Sequence, residues 1–267
     1  MSGPNQRYHD RIAPRYDDVY ADDPYWDLYH DISWRALKPH LPSDQSHPVL
    51  DVGCGTGLYG LRLAKSRFKV CFSDLSARML DVAARKAEEQ FPKAQHRFVQ
   101  ADITDLAPFT TAEFSMVVGQ GDPLSFASDW RKALRSVHRV LRPNGVAVLS
   151  VDSRFGGCQP FVTRKDYDGL QRFLRSGDSE WLADRREERF PLHAFTPDEL
   201  REGFKRAGFS VLSLIGKTVF AERNQAAVLE DATLRAQVLR LEEEWNGTEF
   251  GLARAHHLQV AARKAAE

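Results

Sequence analysis

Val49-Leu50-Asp51-Val52-Gly53-Cys54-Gly55-Thr56-Gly57 is the stretch that decides the fold. The apolar run from Pro48 to Val52 reads as a buried strand, and glycine then recurs at every second position. Leu58-Tyr59-Gly60-Leu61-Arg62-Leu63-Ala64 follows, with apolar residues at helical spacing. Strand, tight glycine turn and helix form the opening unit of a doubly wound α/β domain. The glycines let the backbone turn sharply and let a ligand approach with no Cβ in the way. Their spacing is Asp-x-Gly-x-Gly-x-Gly, whereas dinucleotide-binding turns space theirs Gly-x-Gly-x-x-Gly. A nucleotide-dependent oxidoreductase is therefore disfavoured.

The Val-Leu-Asp-Val-Gly-Cys-Gly-Thr-Gly run resembles motif I of the class I S-adenosylmethionine (SAM) dependent methyltransferases. The resemblance implies that Asp51, Gly53, Cys54, Gly55 and Gly57 belong to the cofactor site, with SAM as cofactor and S-adenosylhomocysteine as product.

Composition bounds the remaining possibilities. A length of 267 residues suggests one domain with additions, or two small ones. Lys+Arg 37 against Asp+Glu 37 leaves a formal charge of +0, so no nucleic-acid partner is expected. Cys54, Cys71 and Cys158 are far apart, show no metal-ligand spacing and form no disulfide framework. No metal is expected, and a reducing, cytoplasmic setting is. Met1 to Arg7 is polar, without the apolar core of a signal peptide, and no run approaches membrane-spanning length. The chain is expected to be a monomer or homodimer away from any membrane.

Residues 1–45 precede the first strand and are rich in aromatics: Tyr8, Tyr16, Tyr20, Tyr25, Trp26, Tyr29 and Trp34. Tyr8 to Asp17 resembles the Tyr-Asp-x-Ile-Ala-x-x-Tyr-Asp lead-in of many small-molecule methyltransferases, a segment that covers cofactor and substrate. Tyrosine faces suit a sulfonium cation and keep water out. Tyr8 and Tyr16 are the candidates for cofactor contact, with core packing as the competing reading. Trp26, Leu28, Tyr29, Ile32 and Leu37 have the spacing of a helix facing the core.

Phe68 to Asp74 reads as the second strand, ending in an acid 17 residues past Gly57. In a doubly wound fold such an acid can accept from both ribose hydroxyls, which assigns Asp74 to the ribose and leaves Ser76 to cap the next helix. Leu75 and Met79 lie where the family packs the adenine or ribose, or else belong to the core. His96 to Ile103 holds the third strand, and the resemblance implies that Asp102 and Ile103 contact the adenine. Phe114 to Val118 is the fourth strand. The loop beyond it leaves its carboxyl end beside the glycine turn, the usual crevice for ligands. Gln120 is a cofactor candidate there, and Asp122 a catalytic one.

Trp130 to Leu141 reads as a helix, Arg142-Pro143-Asn144-Gly145 as a turn with φ > 0 at the glycine, and Val146 to Asp152 as the fifth strand. Composition then shifts over Ser153 to Pro191, where helices are expected at Thr163–Leu174 and Trp181–Arg189. This insertion reads as a cap over the acceptor pocket, with Arg154 a candidate for an acidic substrate. Thr196, Pro197 and Glu199 form a capping box that opens the next helix, and His193 before it is the second catalytic candidate, as a general base. Ser210 to Ile215 is the sixth strand and 224–244 a helix. His257 to Lys264 is alanine-rich enough for a helix, but the resemblance places a final antiparallel strand there, beside the fifth.

The expected fold is therefore a Rossmann-like, doubly wound seven-stranded sheet, mostly parallel with a C-terminal antiparallel strand and a helical cap insertion after the fifth strand. Residues 1–45 would form the lead-in, 46–152 the SAM-binding core, 153–192 the cap and 193–267 the rest of the sheet. The expected activity is methyl transfer to a small-molecule acceptor by in-line displacement, mainly through proximity and desolvation. The alternatives are a methyltransferase for RNA or protein, and a module that binds SAM or its product without transfer.

Overall fold

The computed structural model describes residues 2–94 and 96–266. The chain opens with helices α1 (Pro4–Ile12) and α2 (Pro24–Leu37). Then come β1 (Val49–Val52), α3 (Leu58–Lys65), β2 (Val70–Asp74), α4 (Ala77–Gln90), β3 (Arg97–Gln100), β4 (Phe114–Gly119), α5 (Trp130–Val140) and β5 (Leu141–Asp152). The insertion holds α6 (Gln159–Thr163), α7 (Tyr167–Ser176), β6 (Asp178–Trp181) and β7 (Phe190–His193). After it come α8 (Pro197–Arg206), β8 (Phe209–Lys217), α9 (Ala226–Glu230), α10 (Ala232–Trp245), α11 (Glu249–Arg254) and β9 (His257–Lys264).

Seven strands pair in the order β3-β2-β1-β4-β5-β9-β8. β1 pairs in parallel with β2 on one side (Val49↔Val70) and with β4 on the other (Val49↔Met116), so the winding reverses between β1 and β4. A crevice therefore opens at their carboxyl ends, next to the glycine turn. β9 is antiparallel to both β5 and β8, with Val260 opposite Leu149 and Leu214. The last segment is thus a strand. Although its alanines suit a helix, its backbone is held on both sides and its side chains are almost all buried between α/β layers.

The central strands read as unbroken apolar runs because both faces are covered. Alternate residues feed two separate cores. Leu50, Val52, Val117, Ala147, Leu149 and Val260 meet α5 and α8 through Leu134, Val137, Leu200 and Phe204. Val49, Met116, Val118 and Val148 meet α3 and α4 through Leu61, Leu63, Leu80 and Ala83. In α5 the buried positions Trp130, Ala133, Leu134, Val137 and Val140 recur at three- and four-residue steps, which is one helix face. Each large apolar side chain so buried contributes about 1.5–3 kcal/mol.

Local expectations are corrected at four places. Between α5 and the body of β5, Asn144 rather than Gly145 takes the left-handed conformation (φ 63°). Asparagine tolerates it, while Gly145 is needed for space, because a Cβ there would lie 2.9 Å from Arg142 O and 3.1 Å from Ser115 O. The helix expected over 163–174 is split. Lys165 turns left-handed (φ 58°) and Asp166 caps a fresh helix by accepting from Gly169 N. The helix expected at Trp181–Arg189 is instead the β6–β7 hairpin, with Trp181 paired to Phe190 and their rings stacked 6.2 Å apart. Two aromatics on one face of a hairpin bury more apolar surface than a short charged helix could. The insertion is therefore half helical and half hairpin. Finally, the helix expected over 224–244 breaks at Asp231, which caps α10 by accepting from Thr233 N and Leu234 N.

Candidate active site

The glycine turn is held from beneath. Gly53, Gly55 and Gly57 all have positive φ (64°, 53° and 92°). Asp51 Oδ2 accepts from Gly60 N–H at 2.7 Å, fixing the turn to the first turn of α3. Burial pushes the Asp51 carboxyl up to about 7, opposed by that N–H. Cys54 N–H donates to Ser73 O at 3.0 Å, tying the turn to β2, and burial holds the Cys54 thiol well above its ordinary value. Asp51 and Cys54 thus position the turn by what they bond. Gly55 faces a different environment: a Cβ built on it would meet only Tyr16 Cε1, at 3.8 Å. Tyr16 thus stands next to Gly55 with room for about one Cβ between them, a gap called the slot below.

Asp74 closes β2 beside that slot. Its Oδ2 accepts from Gly55 N–H and its Oδ1 from Ser76 N–H, both at 2.8 Å. Each carboxylate oxygen carries two lone pairs, so both retain acceptor capacity. Burial pushes the Asp74 carboxyl up, offset in part by His9 and the two N–H donors. Ser76 caps α4 as expected, accepting from Met79 N at 3.1 Å. Met79 is fully buried, while Leu75 is partly exposed next to Asp74. Beyond β3, Asp102 Oδ1 accepts from Thr104 N at 2.7 Å, a local turn that leaves Ile103 buried.

The N-terminal segment lies against the glycine turn through Tyr16 and is stapled on several sides. Ser76 Oγ donates to Asp10 Oδ1 (2.5 Å) and Thr56 Oγ1 to Asp17 Oδ1 (2.7 Å), while Lys86 pairs with Asp17 Oδ2. On the cap side, Arg11 Nε donates to both oxygens of the buried Glu188 at 2.8 Å, and Arg7 to Glu187 O. Asn5 reaches Phe126 O in the loop after β4. Tyr8 does not stand over the glycine turn alone. Its ring packs at 5.9 Å against both Trp181 and Phe190 of the hairpin, and Phe126 joins the same cluster. Tyr16 packs on Tyr20 at 5.1 Å, and burial holds its phenol well above the usual range.

Past the fourth strand lies a buried polar cluster of which the sequence disclosed only part. Gln120 is buried, with Nε2 near Val148 O (3.3 Å) and Oε1 near Lys217 Nζ (3.4 Å). Asp122 has φ 66°, strained for a non-glycine residue, and its N–H donates to Ser150 Oγ at 3.0 Å. Asp122 Oδ2 lies 2.7 Å from His257 Nδ1, and Asp152 Oδ1 lies 3.8 Å from the same nitrogen. Lys217, fully buried, donates to Tyr29 OH at 2.7 Å. Burial lowers its ammonium to about 8, countered by Asp122 and Asp152. Asp152 is pushed up to about 7 by burial and by Asp122, while His257 and Lys217 hold Asp122 down at about 2 despite its burial. Asp152, Lys217 and His257 are not singled out by the sequence as candidate site residues, while Tyr29 is buried as its helical spacing predicts. Asp152 alone carried a signal, standing at the carboxyl end of a central strand.

His193 is not part of this cluster. Its Nδ1 meets Asp178 at 2.7 Å and its Nε2 meets Glu199 at 3.1 Å, and the ring stacks on Trp130. With both nitrogens engaged by carboxylates, it joins the hairpin to α8. Glu199 accordingly leaves the capping box half made: Thr196 Oγ1 accepts from its N–H, but its carboxylate serves His193 and Arg154. Arg154 is buried, bonded to Ala194 O and Ser176 O as well as Glu199, so it is not presented to a substrate.

Comparison with known proteins agrees with this geometry. A family described as a methyltransferase domain matches residues 49–145. The 2-phytyl-1,4-naphtoquinone methyltransferase of Nostoc sp. is 33% identical over 148 residues, which cover 52% of this chain and 61% of that protein. The tRNA 5-carboxymethoxyuridine methyltransferase of Escherichia coli K12 is 24% identical over 239 residues, covering 87% of each. Among solved structures, a SAM-dependent methyltransferase from Methanosarcina mazei superposes with a TM-score of 0.60 at 20% identity, covering 87% of this chain and 98% of that one. No helix among the described residues is long and apolar enough to cross a membrane.

Proposed function

We propose that this chain, a class I SAM-dependent methyltransferase with S-adenosylmethionine as its cofactor, methylates a small acceptor enclosed between its N-terminal segment and its cap. One observation carries the reading. The segment holding Tyr8 and Tyr16 is bonded at once to the core, through Thr56, Ser76 and Lys86, and to the cap, through Glu187 and Glu188. A cover held on both sides suits an acceptor that is swallowed rather than one that presents a loop from outside.

The residues present fit the cofactor. A Cβ on Gly55 would meet only Tyr16, at 3.8 Å, and Asp74, bonded to Gly55 N–H, keeps acceptor capacity beside the glycine turn. Bound SAM supplies a methyl group on a positively charged sulfur. In our reading Gly53, Gly55 and Gly57 admit it, Asp74 accepts from the ribose, and Asp102, Ile103, Leu75 and Met79 border the adenosine. Tyr16 and Gln120 line the reactive end, with Tyr8 sealing the chamber through its aromatic cluster. Asp51 and Cys54 act by holding the glycine turn. The buried aromatic wall excludes water and does not oppose loss of positive charge as the methyl leaves. Alignment of the two reactants can supply most of the rate, at effective molarities of about 10⁵ M or more. Asp122, the acid nearest the reactive end, and not His193, is the polar group that would face the acceptor.

The second reading, an RNA acceptor, draws on the E. coli tRNA methyltransferase, which aligns with 87% of this chain. One experiment separates the two. The full chain is incubated with methyl-tritiated SAM and, in parallel, with a low-molecular-mass metabolite extract or with bulk tRNA. Label in the extract and none in tRNA is expected. Label in tRNA alone overturns the small-acceptor reading. No calorimetric SAM binding by a folded chain overturns the transferase reading itself.

A further inference from the structure

Asp122, Asp152 and His257 come from three separate segments: the loop after β4, the end of β5 and the first residue of β9. Each presents one donor atom, and the three donor atoms lie within 4.8 Å of one another. That spacing is what atoms about 2.0–2.4 Å from a common centre show. Two carboxylate oxygens of the cluster, Asp122 Oδ1 and Asp152 Oδ2, are buried with no hydrogen-bond partner. Asp122 itself is only 5% exposed. Buried polar atoms are almost always partnered, so these two oxygens lack something the folded chain alone does not provide.

The neighbouring cation does not fill the gap. Lys217 Nζ is directed to Tyr29 OH and Gln120 Oε1 and bonds neither carboxylate. The ring of His257 packs on Tyr29 and Trp26, at 5.0 and 6.3 Å, which fixes its plane.

We propose that Asp122, Asp152 and His257 bind a divalent metal ion beside the cofactor slot. One imidazole nitrogen and two carboxylate oxygens suit a borderline ion such as Mn²⁺ or Zn²⁺. The ion then takes the place of the direct contact between His257 Nδ1 and Asp122 Oδ2, and the Asp122 carboxylate turns to admit it while the His257 ring keeps its plane. Three protein donors leave coordination positions open, as in sites where a metal holds a ligand oxygen. That the oxygen belongs to the methyl acceptor rests on the function proposed above; the binding of the ion does not.

The test is calorimetric titration of chelator-treated full chain with MnCl₂ and with ZnCl₂, in the absence of SAM. Saturable binding of one ion per chain is expected, weakened at least tenfold in Asp152→Asn and in His257→Gln. A Co²⁺-substituted wild-type chain should show the visible absorption of a nitrogen-ligated ion, a readout that needs no variant to fold. Calorimetric SAM binding is measured on the same samples. Metal binding without SAM binding leaves the site standing and overturns the function. Absence of stoichiometric binding, or binding unaltered in both variants, overturns the metal site.

Discussion

His257 Nδ1 lies 2.7 Å from Asp122 Oδ2, joining the first residue of β9 to the loop after β4 across 135 positions of sequence. The contact is largely shielded from solvent and made to a carboxylate, so it couples the last strand of the sheet to the loop after β4. Asp122→Asn keeps a residue that accepts the left-handed backbone, so it isolates the loss of charge. We expect it to cost about 1.5–3 kcal/mol in urea unfolding with chelator present. In a double-mutant cycle with His257→Gln the two changes should couple by about 1 kcal/mol or more. Additivity would mean that the pair is a neighbour relation without energetic content.

Gly55 and Gly60 should respond to substitution in opposite ways. A Cβ at Gly55 enters the slot below Tyr16, whereas one at Gly60 would stand 2.1 Å from the Phe72 ring. Gly55→Val should abolish SAM binding, and its positive φ should cost about 1–2 kcal/mol of stability. Gly60→Ala should destabilise by about 1–3 kcal/mol through overpacking while leaving the slot chemically intact. Calorimetry with SAM and urea unfolding on both variants distinguish the two roles. Normal SAM binding by a folded Gly55→Val chain would remove the slot from the site.

Asp74 is oriented by two backbone N–H groups before any ligand arrives. Asp74→Ala should weaken SAM at least about tenfold, since hydrogen bonds to a charged group are worth about 1.5–3 kcal/mol. The same variant frees Gly55 N–H and Ser76 N–H, so a modest loss of stability should accompany it. Unchanged SAM affinity in the folded variant would take Asp74 out of the ribose site.

The His193–Glu199 pair makes stability pH-dependent with a definite sign. Burial alone would lower the His193 imidazole, but its hydrogen bonds to Glu199 and Asp178 raise it above 6.5. Its contribution is therefore fully present below pH 6.5 and is lost as pH rises through the folded value. Burial would raise Glu199, but His193 and Arg154 bring it below 4.5, so its contribution is present above pH 4.5 and is lost as pH falls. The stability difference between the wild-type chain and His193→Gln should be greatest between pH 4.5 and 6.5, at about 1 kcal/mol. It should shrink at pH 9. A difference that grows with pH would contradict the pairing.

Much of the local structure around the candidate site was legible in the linear chain because its physics is local. Glycines at every second position after a buried strand dictate a backbone that only they adopt easily, and Gly53, Gly55 and Gly57 adopt it. Asp74 follows from strand length and the carboxyl-end rule, and Ser76 as cap from the preference of hydroxyls for unpaired N–H groups. The aromatic lead-in reads from the sequence as a cover, and its bonds to Thr56, Ser76 and Glu188 tie it to the glycine turn, to the start of α4 and to the insertion.

What only the tertiary structure decided depends on residues far apart in sequence. Trp181 and Phe190 form a hairpin because they stack on each other and pack against Tyr8, more than 170 positions away, which outweighs the helical leaning of the charges between them. His257 sits in an alanine-rich stretch with no local sign of chemistry. Only the insertion of β9 between β5 and β8 brings it to Asp122 and Asp152. Local pattern determines strands, helices and turns through backbone sterics and burial period. Which polar groups meet inside is set by strand order, because burial excludes water and leaves each group to find a partner wherever the sheet delivers one.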